Sequence, residues 1–152
     1  MLNRLSRFIE RHLQAAGDVS APLSTHQKKL ASAALLIEVA MADHDFSPIE
    51  LEQLIRSLQQ KFELDTEETL ALVDNAKTER RDASSLYQFT QLINQHCDET
   101  EKFALIKAMW EMAYADGQLD KYEDYIIRKV ADLIYITHSD FIRAKSLTKA
   151  TL

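Results

Sequence analysis

The sequence predicts an all-α fold, a compact bundle of about eight helices arranged as two pseudo-symmetric halves. Three observations carry that expectation. Apolar residues recur at three- and four-residue spacing along most of the chain, Gly and Pro number only 2 each in 152 residues, and one acidic pattern occurs twice. The spacing lays an apolar stripe along one face of a helix, and the scarcity of Gly and Pro removes the turn chemistry that repeated β-hairpins need. At this length one globular domain is expected, able to bury about 70% of the surface its unfolded chain exposes.

Met1–Ala16 has Leu2, Leu5, Phe8, Ile9, Leu13 and Ala16 on one broad stripe, with three arginines mostly away from it. This predicts an amphipathic helix, broken from Gly17 to Pro22, that packs over the bundle; its positive charge also allows a peripheral membrane contact. Residues 1–24 form this helix and its connection, and 25–152 the helical domain proper. The first helix of that domain runs from Ser24 to about Ala42, through Leu30, Ala33, Ala34, Ile37, Ala40 and Met41.

Ser47, Pro48 and Glu50 then form a helix start. A serine oxygen accepts an orphan N–H, proline fits the first position, and the glutamate reaches back to the serine N–H. That helix extends to about Phe62 along Leu51, Leu54, Ile55 and Leu58. Asp65 and Glu68 open a third helix carrying Leu70, Leu72, Val73 and Ala76. The charge-dense stretch Thr78–Asp82 is the mid-chain connection, followed by a helix through Leu86, Phe89, Leu92 and Ile93 to near Cys97.

Asp98 and Glu101 start a helix reaching Ala115, and Asp120 and Glu123 another with Ile126, Ile127, Val130, Ala131, Ile134 and Tyr135 as its apolar face. A short helix over about Ser139–Leu147, capped by Thr137 or Ser139, ends the chain. No linker is long enough to divide these helices into independent domains.

The acidic pattern is Glu-x4-Asp-x6-Glu, present as Glu38, Asp43 and Glu50 and again, at a constant offset, as Glu111, Asp116 and Glu123. Ala40 and Ala42 match Ala113 and Ala115, while Phe46, Ser47 and Leu54 face Leu119, Asp120 and Ile127. Glu38 is the single polar residue in Ala33–Ala42, and Glu111 stands alone in the same way in Ala108–Ala115. An ionised carboxylate among apolar neighbours is costly unless it is paired, hydrogen-bonded or bound to a cation.

Helix capping accounts well for Glu50 and Glu123, and Asp43 and Asp116 could stabilise the turns. The functional reading is convergence of the carboxylates on a hard divalent cation, Ca²⁺ or Mg²⁺, which favours oxygen ligands where Zn²⁺ would recruit His or Cys. Asp43, Asp45 and Ser47 begin like an EF-hand loop, but Pro48 stands where that loop needs glycine and Leu54 where it needs a bidentate glutamate. Gly117 suits a left-handed exit from the helix; His44, its counterpart, is a turn residue before it is a ligand.

The segment Ala115–Glu123, its partner Ala42–Glu50 and their helical setting resemble the TerB-like proteins, including the tellurite-resistance protein TerB and the amino-terminal domain of DjlA co-chaperones. The resemblance covers roughly Thr25–Leu147. It implies an all-helical, pseudo-twofold domain whose acidic surface binds metal, in stress responses or membrane-associated complexes. Carried over by position, the metal-site residues are Glu38, Asp43, Glu50, Glu111, Asp116 and Glu123, and the departure at His44 bears on the first half. The chain contains no J-domain, so co-chaperone activity does not carry over.

Other chemistry is scarce. Two glycines make neither a P-loop nor a dinucleotide fingerprint. Five histidines and the single Cys97 are too scattered for a zinc site, and Cys97 is expected to be buried in a reducing compartment rather than nucleophilic. A net charge of −6 argues against nucleic acid as a partner. Trp110, Tyr114, Tyr122 and Tyr125 are expected in the core, with exposed Tyr122 or Tyr125 the alternative as partner anchors.

The resulting expectation is a non-enzymatic, cytoplasmic domain that binds a divalent cation or a protein partner in a scaffold or stress-response role. A metal-assisted hydrolase and a purely structural module with capping carboxylates are the two alternatives.

Overall fold

The computed structural model describes residues 23–43, 47–77, 83–114 and 121–151, with the backbone alone at 42–43, 75–77, 83–86 and 121–123. Among the described residues every regular element is a helix: α1 Thr25–Asp43, α2 Pro48–Phe62, α3 Thr66–Lys77, α4 Ala83–His96, α5 Glu99–Ala113, α6 Lys121–Leu133 and α7 His138–Ala150. The all-α expectation is borne out. The expected helix over Met1–Ala16 and the connection Thr78–Asp82 lie outside the described residues. The chain divides into two compact units between His96 and Cys97.

In the first unit α1 packs against α2, α3 and α4. It is therefore buried on all sides from Leu30 to Ala40, well beyond the stripe that spacing alone marks. A helix apolar all round is stable only when neighbours cover every face, and α1 has three of them. Ser32 is accommodated there because its hydroxyl donates to the Lys28 carbonyl at 2.8 Å.

The capping signatures form as the sequence implies. The Ser47 hydroxyl accepts from the Glu50 N–H at 3.2 Å while Glu50 Oε1 accepts from the Ser47 N–H at 3.0 Å. Asp65 and Glu68 make the reciprocal pair at 2.8 and 2.9 Å. After Phe62, Glu63 takes a left-handed conformation with φ 55°, and the Leu64 N–H reaches back to the Gln59 carbonyl at 3.0 Å. Glu63 also meets Lys29 of α1 at 3.3 Å.

Leu72 of α3 and Phe89 and Ile93 of α4 are buried. Leu70, named with Leu72 among the apolar residues of this helix, is 60% exposed. Residues two apart on a helix point to different faces, and Leu72 holds the covered one. The division of the chain falls after α4, because α4 packs back onto α1.

In the second unit α5 packs against α6 and α7. Asp98 and Glu101 cap α5 reciprocally at 2.8 and 3.1 Å. Leu105, Ile106, Met109, Trp110 and Ala113 are buried along it, facing the apolar stripes of α6 and of Phe141 and Ala144 on α7. Trp110 and Phe141 have ring centroids 5.2 Å apart.

Tyr135 departs from the expected apolar face of α6: it is 79% exposed. The helix stops at Leu133, and Tyr135 turns the chain outward at φ 63° while the Ile136 N–H bonds to the Ala131 carbonyl at 2.9 Å. Thr137, not Ser139, caps α7, accepting from the Asp140 N–H at 3.1 Å. The last helix continues past Leu147 to Ala150, with Thr148 buried and its hydroxyl donating to the Ala144 carbonyl at 2.9 Å.

Candidate functional site

The first acidic motif joins the end of α1 to the start of α2. Glu38 lies between the buried Ile37 and Val39 and is itself 3% exposed. It is not without an interaction partner, as a buried carboxylate requires. Asp43 is the last residue of α1, and its side chain lies outside the described residues, as does His44. Glu50 is exposed and closes the α2 capping box, so capping engages at least one of its oxygens.

The second motif joins α5 to α6 in the same way, yet its glutamate has a different environment. The Glu111 side chain is 33% exposed and accepts from Lys107 Nζ at 2.9 Å, one turn earlier on α5. The expectation that Glu111 is enclosed like Glu38 is therefore corrected. Among the described helices of its own unit α5 packs on α6 and α7, whereas three helices enclose α1, and the Glu111 and Lys107 side chains stay partly exposed. Asp116 lies outside the described residues, and Glu123 belongs to the first turn of α6 with its side chain undescribed.

Among the described residues no group of three His, Cys, Asp or Glu side chains could hold a metal ion. The six motif carboxylates are not all in that set: of them, the side chains of Glu38, Glu50 and Glu111 alone are described.

Sequence reasoning missed two polar arrangements. One joins the first turns of α1 and α3, where His26 Nε2 stands 2.7 Å from Glu68 Oε2 and Glu68 is buried. The capping box of α3 marks Glu68, but nothing in the sequence places His26 beside it, since their α-carbons are distant in the chain.

The other lies beside the second motif. Tyr114 caps the end of α5, buried and stacked on Trp110 with ring centroids 6.1 Å apart. Its hydroxyl, Trp110 Nε1 and Asp124 Oδ1 are buried with no hydrogen-bond partner among the described residues. Arg128 Nη2 and Lys145 Nζ each stand 3.9 Å from an oxygen of Asp124, an ion-pair distance too long for a hydrogen bond. The cationic heads lie over aromatic rings instead: Lys145 Nζ is 5.0 Å from the Trp110 centroid and Arg128 Cζ 4.6 Å from that of Phe141. Burial, and then the Asp124 charge, raises the Tyr114 pKa above 10.0.

The profile of the family described as tellurite resistance protein TerB matches residues 29–146. The chain belongs to the TerB family. Neither a curated protein nor a solved structure matches it. The TerB match runs from the second turn of α1 into α7 and contains both acidic motifs.

The donor set of the TerB motifs, carboxylates throughout, suits a hard cation. The Lys107–Glu111 pair is no obstacle to coordination, because a half-exposed pair at this helical spacing contributes only about 0.3–0.5 kcal/mol. Trp110 and Tyr114 are buried as expected, whereas Tyr125, expected in the core with a partner anchor as the alternative, is exposed, and Tyr122 has an undescribed side chain. Cys97 is half-buried, not enclosed. No helix among the described residues is long and apolar enough to cross a membrane.

Proposed function

We propose that the acidic motifs bind a divalent cation of the Ca²⁺ or Mg²⁺ class, through Glu38, Asp43 and Glu50 and through Glu111, Asp116 and Glu123, and that the loaded domain engages a protein partner in a stress response. The observation that carries this reading is Glu38, a carboxylate buried in the most enclosed helix of the first unit and repeated in register at Glu111. Membership of a family named for tellurite resistance supports the stress-response context.

The test is calorimetric titration of chelator-treated protein with CaCl₂ and MgCl₂, together with melting curves at millimolar cation. Binding should raise the melting midpoint, and Glu38→Gln and Glu111→Gln should reduce both heat and shift. Absence of heat and of any shift in the unsubstituted protein would overturn the proposal.

The complete Ser47–Glu50 capping box favours a second reading, in which the motif is structural. Glu50→Gln separates the two, since glutamine also serves in a capping box but is a poorer ligand for a hard cation. The structural reading expects no cation-dependent difference in that variant.

A further inference from the structure

We propose that Trp110, Tyr114, Asp124, Arg128 and Lys145 form an oxyanion site in the second unit, suited to an anion of the hydrogenphosphate class that keeps one proton, and that Asp124 selects for that proton. The inference is independent of the cation reading, because it uses none of the six motif carboxylates.

The five side chains come from α5 and its cap, α6 and α7, and a chain of contacts joins them. Tyr114 stacks on Trp110, and Lys145 Nζ lies over the Trp110 ring. Arg128 Nη2 stands 3.9 Å from Asp124 Oδ1 and Lys145 Nζ 3.9 Å from Asp124 Oδ2. Trp110 is 0% and Tyr114 7% exposed, yet Trp110 Nε1, the Tyr114 hydroxyl and Asp124 Oδ1 have no hydrogen-bond partner among the described residues.

Buried tryptophan and tyrosine normally place these groups on a partner, because an unmade hydrogen bond costs the full desolvation of the group. The cluster therefore presents two buried donors and one buried acceptor. Its charges specify what they take. Two cations against one carboxylate leave one positive charge in excess, and at 3.9 Å neither cation makes a hydrogen bond to Asp124, so both heads keep donors for a ligand. Water would supply the hydrogen bonds but leave the charge. A fully ionised anion would offset the charge but set a lone pair against Asp124 Oδ1. An oxyanion that keeps one proton meets both demands: its bare oxygens accept from Trp110 Nε1, the Tyr114 hydroxyl, Lys145 and Arg128, while its O–H donates to Asp124 Oδ1.

Hydrogenphosphate carries that proton at neutral pH, and sulfate, of the same tetrahedral shape, carries none. A site whose buried acceptor awaits a donor disfavours the analogue lacking it, so Asp124 should reject sulfate. The experiment titrates the full chain with sodium phosphate and with sodium sulfate at matched ionic strength, in chelator so that divalent cations do not enter. Trp110, the chain's single tryptophan, is the emission reporter, and calorimetry gives the heat. Phosphate should bind and change the emission, and sulfate should bind at least about tenfold more weakly. Tyr114→Phe and Lys145→Met should each weaken phosphate by at least about tenfold, the effect of losing a hydrogen bond to a charged group. Lys149→Met, at an exposed lysine on the same helix, should bind as the unsubstituted chain does. Asp124→Asn, which brings an N–H donor, should gain affinity for sulfate.

Without added anion Tyr114→Phe should melt no lower than the unsubstituted protein, so that its weaker binding is not loss of fold. Absence of phosphate binding at millimolar concentration would overturn the inference and show that water alone satisfies these groups. Equal affinity of the unsubstituted chain for phosphate and sulfate would overturn it too, as would unchanged phosphate affinity in both Tyr114→Phe and Lys145→Met. Rejection of sulfate that persists in Asp124→Asn would overturn the selection assigned to Asp124.

Discussion

His26 Nε2 lies 2.8 and 2.7 Å from the two carboxylate oxygens of Glu68, fastening the first turn of α1 to the first turn of α3. The same carboxylate accepts the Asp65 N–H, so one buried group serves both a helix cap and a tertiary contact. Lys29 and Glu63 make a second tie from α1 to the segment just before α3, but with Glu63 largely exposed it contributes little.

Removing the imidazole should therefore cost stability. His26→Ala withdraws a donor from a buried carboxylate, and with His26 itself half-exposed the expected loss is about 1 kcal/mol. Lys29→Ala should cost less than about 0.5 kcal/mol. Urea denaturation measures both; equal stability of His26→Ala and the unsubstituted chain would show that Glu68 is satisfied by its cap alone.

The pH dependence at the alkaline end should carry the signature of Tyr114. Its pKa is raised above 10.0 in the folded protein, first by burial and then by Asp124, so the folded state keeps a proton that the unfolded chain has released. The corresponding stability is fully present below about pH 10 and is lost as pH rises through the folded-state value. Melting midpoints from pH 8 upward should fall less steeply in Tyr114→Phe than in the unsubstituted protein. Parallel curves would show that Tyr114 is not the group responsible.

Tyr135 should be a site where glycine stabilises. A side chain at φ 63° bears a left-handed cost of roughly 1–2 kcal/mol, which glycine avoids at an unfolded-state entropy penalty of roughly 0.5–1 kcal/mol. Tyr135→Gly should thus gain about 0.5 kcal/mol net, while Tyr135→Ala should gain nothing. Chemical denaturation distinguishes them. A loss in Tyr135→Gly would indicate that Lys102, 5.9 Å from the ring centroid, contributes more than the backbone cost.

Much of the fold was legible because its signals are local. The pairs Ser47–Glu50, Asp65–Glu68 and Asp98–Glu101 act within one helical turn, and all three starts form as spacing implies. The apolar stripes of α2, α4 and α6 mark Leu58, Phe89 and Val130 as core, and each is buried. The site was less legible. Apolar neighbours in sequence made Glu38 and Glu111 look alike, but the number of helices around α1 and around α5 within their units gives them different exposure.

The sequence by itself determined the described helices, most of their caps, the duplicated acidic pattern and the family to which the chain belongs. These follow from hydrogen bonds and side-chain periodicities confined to a few consecutive residues. Tertiary structure decided which apolar residues remain outside, Leu70 among them, and which polar groups meet, His26 with Glu68 and Asp124 with Lys145. Those outcomes depend on which helix faces are covered by residues distant in the chain, information that no window of local sequence contains.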